Sequence, residues 1–147
     1  KIIFRNFWRK SINIKIKIGS YLLDSFLEIN NAPKTCDAFL SILPMENKLI
    51  HARWSGEATW IPMGDYDLGV GPENTTSYPS KGDILFYPKS KSETEILIVY
   101  GSAVFASKVG LLAGNHFMTI KNTNQLFKIG NEILWSGAKD IKFEIND

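Results

Sequence analysis

From Ile12 to Ile18 the chain alternates strictly, INIKIKI, which puts the isoleucines on one face and Asn13, Lys15 and Lys17 on the other. A period of two with one apolar face predicts a half-buried strand. Gly19-Ser20 offers a two-residue turn, and Tyr21 to Ile29 returns as a second strand. Asn30-Asn31-Ala32-Pro33 breaks the pattern, and Pro33 opens a predicted helix over Lys34 to Leu43 that Pro44 ends. Further strands are predicted at Leu49–Trp54, Ala58–Met63, Ile84–Tyr87, Glu95–Tyr100, Val104–Val109, His116–Ile120 and Ile141–Ile145. Thr123 to Trp135 reads as an amphipathic helix with Leu126, Ile129, Ile133 and Leu134 on its apolar side. Residues 64–82 form the longest irregular stretch, and a connection rich in lysine and serine runs from Pro88 to Ser92. A chain of about eight strands with one helix near each end predicts a mainly β fold, a closed barrel capped by two helices.

Composition narrows this little. A chain of 147 residues makes one domain, and 44% hydrophobic with 22% charged residues is ordinary for a globular protein. The formal charge of +2 is too small to argue for nucleic acid, and Lys1, Arg5, Arg9 and Lys10 supply more than all of it. Residues 1–11 therefore read as a basic, aromatic extension ahead of a barrel domain over 12–147. The extension fits a loosely packed leader, an added strand, or an interfacial segment for an anionic membrane or a partner. It lacks the small-residue cleavage site of a secretory signal. No apolar run is long enough for a transmembrane segment. The single cysteine, Cys36, excludes an intramolecular disulfide and suits a reducing, cytoplasmic setting.

The densest candidate chemistry lies in Leu49–Trp60, LIHARWSGEATW. Arg53 is the one arginine beyond the first ten residues, in a chain otherwise rich in lysine, and His51 is one of two histidines. On a strand, His51 and Arg53 share a face. Arginine's planar fork suits a carboxylate or phosphate, so the pair points to anion recognition; the plainer reading is a polar outer face with an ordinary ion pair. Glu57 either neutralises Arg53 or serves as a base if buried. Glu93 and Glu95 share parity, and two such carboxylates repel and raise one pKa, although solvated edge charges are the commoner outcome. Glu73, Asn74 and Tyr78 supply donors and acceptors in a loop that covers a pocket or merely satisfies its own turns. Lys108 is a candidate ligand-binding cation, and His116 stands at a strand start. His51, His116 and Glu57 would make a three-ligand metal set, but no recognisable ligand spacing supports it, and no phosphate loop, dinucleotide fingerprint or nucleophile elbow occurs. No metal or organic cofactor is expected.

The order of motifs resembles the cyclophilin superfamily. Ala32-Pro33-Lys34-Thr35-Cys36-Asp37-Ala38-Phe39 is similar to the start of the first cyclophilin helix, and Leu112-Ala113-Gly114-Asn115-His116-Phe117 to the segment before the second. More closely, the chain resembles the DUF3830 branch of cyclophilin-like proteins. His51–Ala58, Glu73–Pro79, Gly82–Leu85, Ser92–Leu97 and Phe105–Gly110 carry that match, which with the His116 segment spans 12–145. The resemblance implies a cyclophilin-like barrel. By position, Arg53 stands for the arginine that hydrogen-bonds the prolyl nitrogen in active cyclophilins, and His116 for their histidine. The rest departs. The only glutamine is Gln125, in the second predicted helix, and Trp60-Ile61-Pro62-Met63-Gly64-Asp65 replaces the Phe-x-x-Gln-Gly segment.

The leading expectation is a pocket for a small polar, anionic or amide-bearing molecule, with or without turnover. Arg53 would orient it, His51 or His116 would move protons, and Glu57 would set their charge. Trp54, Glu73, Asn74, Tyr78, Glu93, Glu95 and Lys108 would contact it. The alternatives are a peptidyl-prolyl isomerase or peptide-binding cyclophilin, and an interaction module that pairs with a partner or forms a homo-oligomer.

Overall fold

The computed structural model describes residues 11–146; the readings placed on Lys1–Lys10 fall outside the described residues. The elements are β1 (Asn13–Ile18), β2 (Tyr21–Leu27), α1 (Pro33–Leu40), β3 (Met45–His51), β4 (Gly56–Pro62), β5 (Thr75–Thr76), β6 (Asp83–Tyr87), β7 (Glu95–Ala103), β8 (Ala106–Ser107), β9 (Gly110–Leu111), β10 (Gly114–Ile120), α2 (Leu126–Ser136) and β11 (Lys139–Ile145). Eight strands run in the order β2-β1-β11-β3-β4-β7-β6-β10, and pairing of β10 with β2 closes the ring. Every pairing is antiparallel. Closure removes the free sheet edges that an open sheet of this size would expose. β5 lengthens the β10 edge, and β8 with β9 makes a separate two-stranded ribbon.

The alternation of the first strand sets the inside of the barrel. Ile14, Ile16 and Ile18 are buried and pair across β11 with Ile145, Phe143 and Ile141. Phe39 of α1 plugs one opening, with its ring edge-on to Phe117 at 5.0 Å and to Phe143 at 5.3 Å. α1 follows the end of β2, whereas α2 leads into the start of β11, and Ile14 pairs with Ile145. The helices therefore sit at opposite openings. α2 packs on β3, β4 and β7 and buries Leu126, Ile129 and Ile133 there. Burying a large apolar side chain contributes roughly 1.5–3 kcal/mol, so each of these plugs stabilises the barrel.

A second apolar layer lies outside the barrel. Ala58, Leu85, Tyr87, Leu97 and Val99 face outward from β4, β6 and β7 and are covered by Phe105 and Leu112. Those two residues flank the β8–β9 ribbon, which is thus a lid on the wall. β7 is buried on both faces, from Glu95 through Tyr100.

Several boundaries differ from the sequence reading. β3 spans Met45–His51, not Leu49–Trp54, because Ala52–Ser55 form a tight turn in which the Ser55 amide bonds the Ala52 carbonyl. α1 stops at Leu40, and the last carbonyls are taken by the amides of Ser41 and Ile42 in a closing turn. The expected strand over Val104–Val109 is instead the ribbon's first arm and its turn. Gly137 follows α2 with φ +98, a conformation in which glycine is unstrained.

Gly130 lies flat on the Tyr100 ring, and a Cβ there would come within 2.3 Å of it. Replacing glycine by alanine within a helix ordinarily stabilises by about 0.8–1.0 kcal/mol. Gly130→Ala is expected to do the opposite, destabilising by roughly 1–3 kcal/mol through overpacking. A thermal melt in which this variant is as stable as the parent contradicts the packing described.

Candidate functional site

The eleven sequence candidates do not gather at one place. His51 ends β3 and reaches inward, where its Nε2 lies 2.6 Å from the Tyr100 hydroxyl. Burial, with Arg53 nearby, holds the imidazole below its ordinary pKa, so it is neutral at pH 7. Its Nδ1 is buried without a partner among the described residues. The Tyr100 phenol is pushed up by burial and by the Glu57 charge. Glu57 stands beside the register shift between Gly56 and Ala58 and accepts the Ser102 amide at 2.8 Å. Arg53 and Trp54 project into solvent from the turn. His51, Arg53 and Glu57 thus come together around Tyr100, a residue the sequence reading passed over as part of an apolar run.

His116 is elsewhere. Three strands separate β3 from β10 in either direction round the barrel, so the two histidines lie on opposite walls. A register shift between His116 and Met118 turns His116 and Thr119 to the same side. Its Nε2 lies 2.8 Å from Thr119 Oγ1 and 3.3 Å from Asp83 Oδ1, and the Thr119 hydroxyl donates to Glu28 at 2.6 Å. Because that hydroxyl's hydrogen goes to Glu28, the ring must be the donor to Thr119, which fixes the hydrogen on Nε2.

Three of the loop candidates are held by structural work. Pro33 leaves the amides of Lys34 and Thr35 open at the start of α1. The Glu73 carboxylate takes both, at 3.1 and 2.8 Å, and the Thr35 hydroxyl at 2.7 Å. Buried Asn115 completes this network, bonding the Glu73 amide, the Thr35 hydroxyl and the Gly71 carbonyl. Asn74, with φ +50, exchanges two hydrogen bonds with the His116 backbone. Glu93 accepts the Gly64 amide at 2.8 Å. Tyr78 and Lys108 are exposed.

Glu95 is different in kind. It opens β7 on the outer face, opposite Tyr87 on β6 and Pro62 on β4, and is only 5% exposed. Burial, and secondarily the Glu93 charge, raises its pKa to about 8. It is therefore mostly a neutral acid at pH 7.

Beside Tyr87 the wall opens into a cleft of about 540 Å³ between the 70–77 loop, the 87–91 connection and residues 111–113. Val70, Pro72, Tyr87, Leu111 and Leu112 supply apolar surface, and Lys89 and Lys91 supply charge. Lys89 pairs with Asp65. Lys91 has no ion pair among the described residues; its amide bonds the Tyr87 hydroxyl at 3.2 Å. Two other clefts, of about 600 and 530 Å³, lie over β1, β11 and β3, and beside Pro44 and Tyr66. None of the eleven sequence candidates lines any of the three. The one sequence signal that could have found the cleft is the lysine-rich run after an aromatic strand end.

The DUF3830 family profile, described as a protein of unknown function, matches residues 14–145. The chain belongs to the DUF3830 family. No curated protein matches it in sequence. Among solved structures, McbB in complex with tryptophan shares the fold, with a TM-score of 0.69 at 14% identity over 89% of this chain. The match covers 44% of McbB, so the chain spans less than half the length of that relative. The hypothetical protein AF2241 from Archaeoglobus fulgidus gives a TM-score of 0.63 at 16% identity, covering 92% of this chain and 95% of that one. At these identities the likeness is one of fold. The DUF3830 chain is thus a closed eight-stranded barrel with two helices, as its motif order led one to expect. Among the described residues no helix is long and apolar enough to cross a membrane, and no group of three or more His, Cys, Asp or Glu side chains is placed to hold a metal.

The acid with the raised pKa yields a pH test. Below about pH 4.5 Glu95 is protonated in both folded and unfolded chains and contributes no difference. Between about 4.5 and 8 the unfolded chain ionises while the folded one stays neutral, so stability falls as pH rises, on the order of 1.4 kcal/mol per pH unit. Glu95→Gln is expected to abolish this slope. Equal denaturant midpoints for wild type and variant at pH 5 and at pH 8 would contradict the buried neutral acid.

Proposed function

We propose that this protein binds a small organic anion with an apolar body in the cleft beside Tyr87. One observation carries the reading: apolar surface from Val70, Pro72, Tyr87 and Leu112 stands within a cleft of about 540 Å³ that is also lined by Lys91, which has no ion pair among the described residues. Mostly apolar walls with a few placed polar groups are the usual make-up of a ligand site, and the volume suits a molecule of amino-acid size. McbB, which shares the fold, is in complex with tryptophan, an apolar body carrying a carboxylate. The lysine would take the carboxylate and the apolar walls the remainder.

A second reading keeps Arg53 as the anchor, with His51 and Glu57 managing charge and protons. The orphaned Nδ1 of His51 favours it, because a buried polar atom without a partner is a position that a ligand or water fills. On this reading His116 takes no part, since it stands on the opposite wall. Prolyl isomerisation ranks below both, as the chain lacks the supporting glutamine and Arg53 stands on an exposed turn.

Thermal-shift and calorimetric titrations with amino acids and small aryl or alkyl carboxylic acids separate these. A binder is expected to raise the melting temperature of wild type. Lys91→Glu should weaken its affinity at least tenfold, while Arg53→Ala leaves it within twofold. Loss with Arg53→Ala alone moves the site to the turn, and no binder at millimolar concentration removes the reading.

A further inference from the structure

The α2 end of the barrel combines exposed aromatic side chains with cations that have no ion pair among the described residues. Three aromatic side chains stand out there: Trp54 at 69% exposure, Phe127 at 52% and Trp135 at 77%. Phe127 and Trp135 lie eight residues apart on α2, so they share its outer side. Phe127 also meets the Tyr100 ring, and Tyr100 bonds His51, three residues before Trp54. The strand ends beside α2 bring Arg53, Lys81 and Lys121 to the same opening, since β3, β6 and β10 start or stop there. None of these three cations has an ion pair among the described residues. The acids of this end are engaged: Glu132 with Lys139 and Tyr21, Glu57 with the Ser102 amide, and Asp83 with His116. None of the three clefts is lined by the aromatic residues named.

We propose that this end of the barrel docks on an anionic lipid surface, with Trp54, Phe127 and Trp135 entering the headgroup layer and Arg53, Lys81 and Lys121 facing lipid phosphates. Tryptophan has an apolar body and a polar ring nitrogen, which suits the boundary between headgroups and acyl chains. Basic residues near such a surface add attraction that salt screens. A second copy of the chain fits less well. A two-fold contact through this end would set unpaired cations against cations, and the core of a stable interface is depleted of charge. A rigid peptide ligand fits less well too, since none of the three clefts described reaches these aromatic side chains.

The test is co-sedimentation of the full-length chain with vesicles of phosphatidylcholine alone and of phosphatidylcholine with 30% (~) phosphatidylglycerol, at ~0.1 M and ~0.5 M salt. Expected is binding to the anionic vesicles only, at least fivefold weaker at high salt. Tryptophan fluorescence should shift to the blue on binding. Trp54→Ala with Trp135→Ala should lower binding at least tenfold, and Lys81→Glu with Lys121→Glu likewise, both proteins melting within a few degrees of wild type. Binding that survives the paired tryptophan change overturns the proposal and assigns the attraction to the basic amino-terminal residues or to charge alone. No binding to either vesicle overturns it as well. So does a concentration-dependent dimer, in size-exclusion chromatography with light scattering, that Trp135→Ala abolishes.

Discussion

Burial of the β4–β7–β6 wall on both faces is the constraint from which the rest of the molecule follows. β7 presents Ile96, Ile98 and Tyr100 to the barrel core and Leu97 and Val99 to the outer layer. A strand covered on both faces is apolar at nearly every position, which is why Ile96 to Tyr100 reads as a continuous run. The inner face needs helices to close the barrel's openings. The outer face needs a lid, which the 104–113 segment provides through Phe105 and Leu112. A lid that is short leaves an uncovered margin, and the cleft beside Tyr87 is that margin. Glu95 opens β7 between Pro62 and Tyr87, and its neutral state follows from the burial it shares with its neighbours.

What the sequence made legible was whatever repeats. The alternation of Ile12–Ile18, the 3.6-residue spacing of Leu126, Ile129 and Ile133, and the turn at Gly19-Ser20 all name their elements, and together they imply a closed barrel with two helices. The turn at Ala52–Ser55 was not legible, because Trp54 and Ile50 look like further members of an apolar alternation. In the fold Trp54 is solvent-facing, and the Ser55 hydroxyl ties the turn to the Ala106 backbone instead. That contact spans 51 residues of sequence and leaves no local trace.

The candidate site was less legible than the fold for the same reason. Rare residue types drew attention to Arg53, His51 and His116, yet rarity carries no information about which wall a side chain faces. Topology does, and it divides the histidines between opposite sides of the ring. Glu73 looked like a ligand-binding loop acid and is a helix cap supplied from 38 residues away. Tyr87, Lys91 and Tyr100 lay inside an apolar strand or a lysine-rich connection and became visible only when the strands were laid side by side.

The central claim is that the binding position of this barrel is the margin of its doubly covered wall and not the turn that carries its one central arginine. Amide chemical-shift mapping of the labelled protein against a carboxylic acid that stabilises it tests this directly. The account predicts perturbations concentrated in residues 70–77, 87–91 and 111–113, with 51–57 unmoved. Perturbations centred on 51–57 and Tyr100, with the cleft silent, would contradict it.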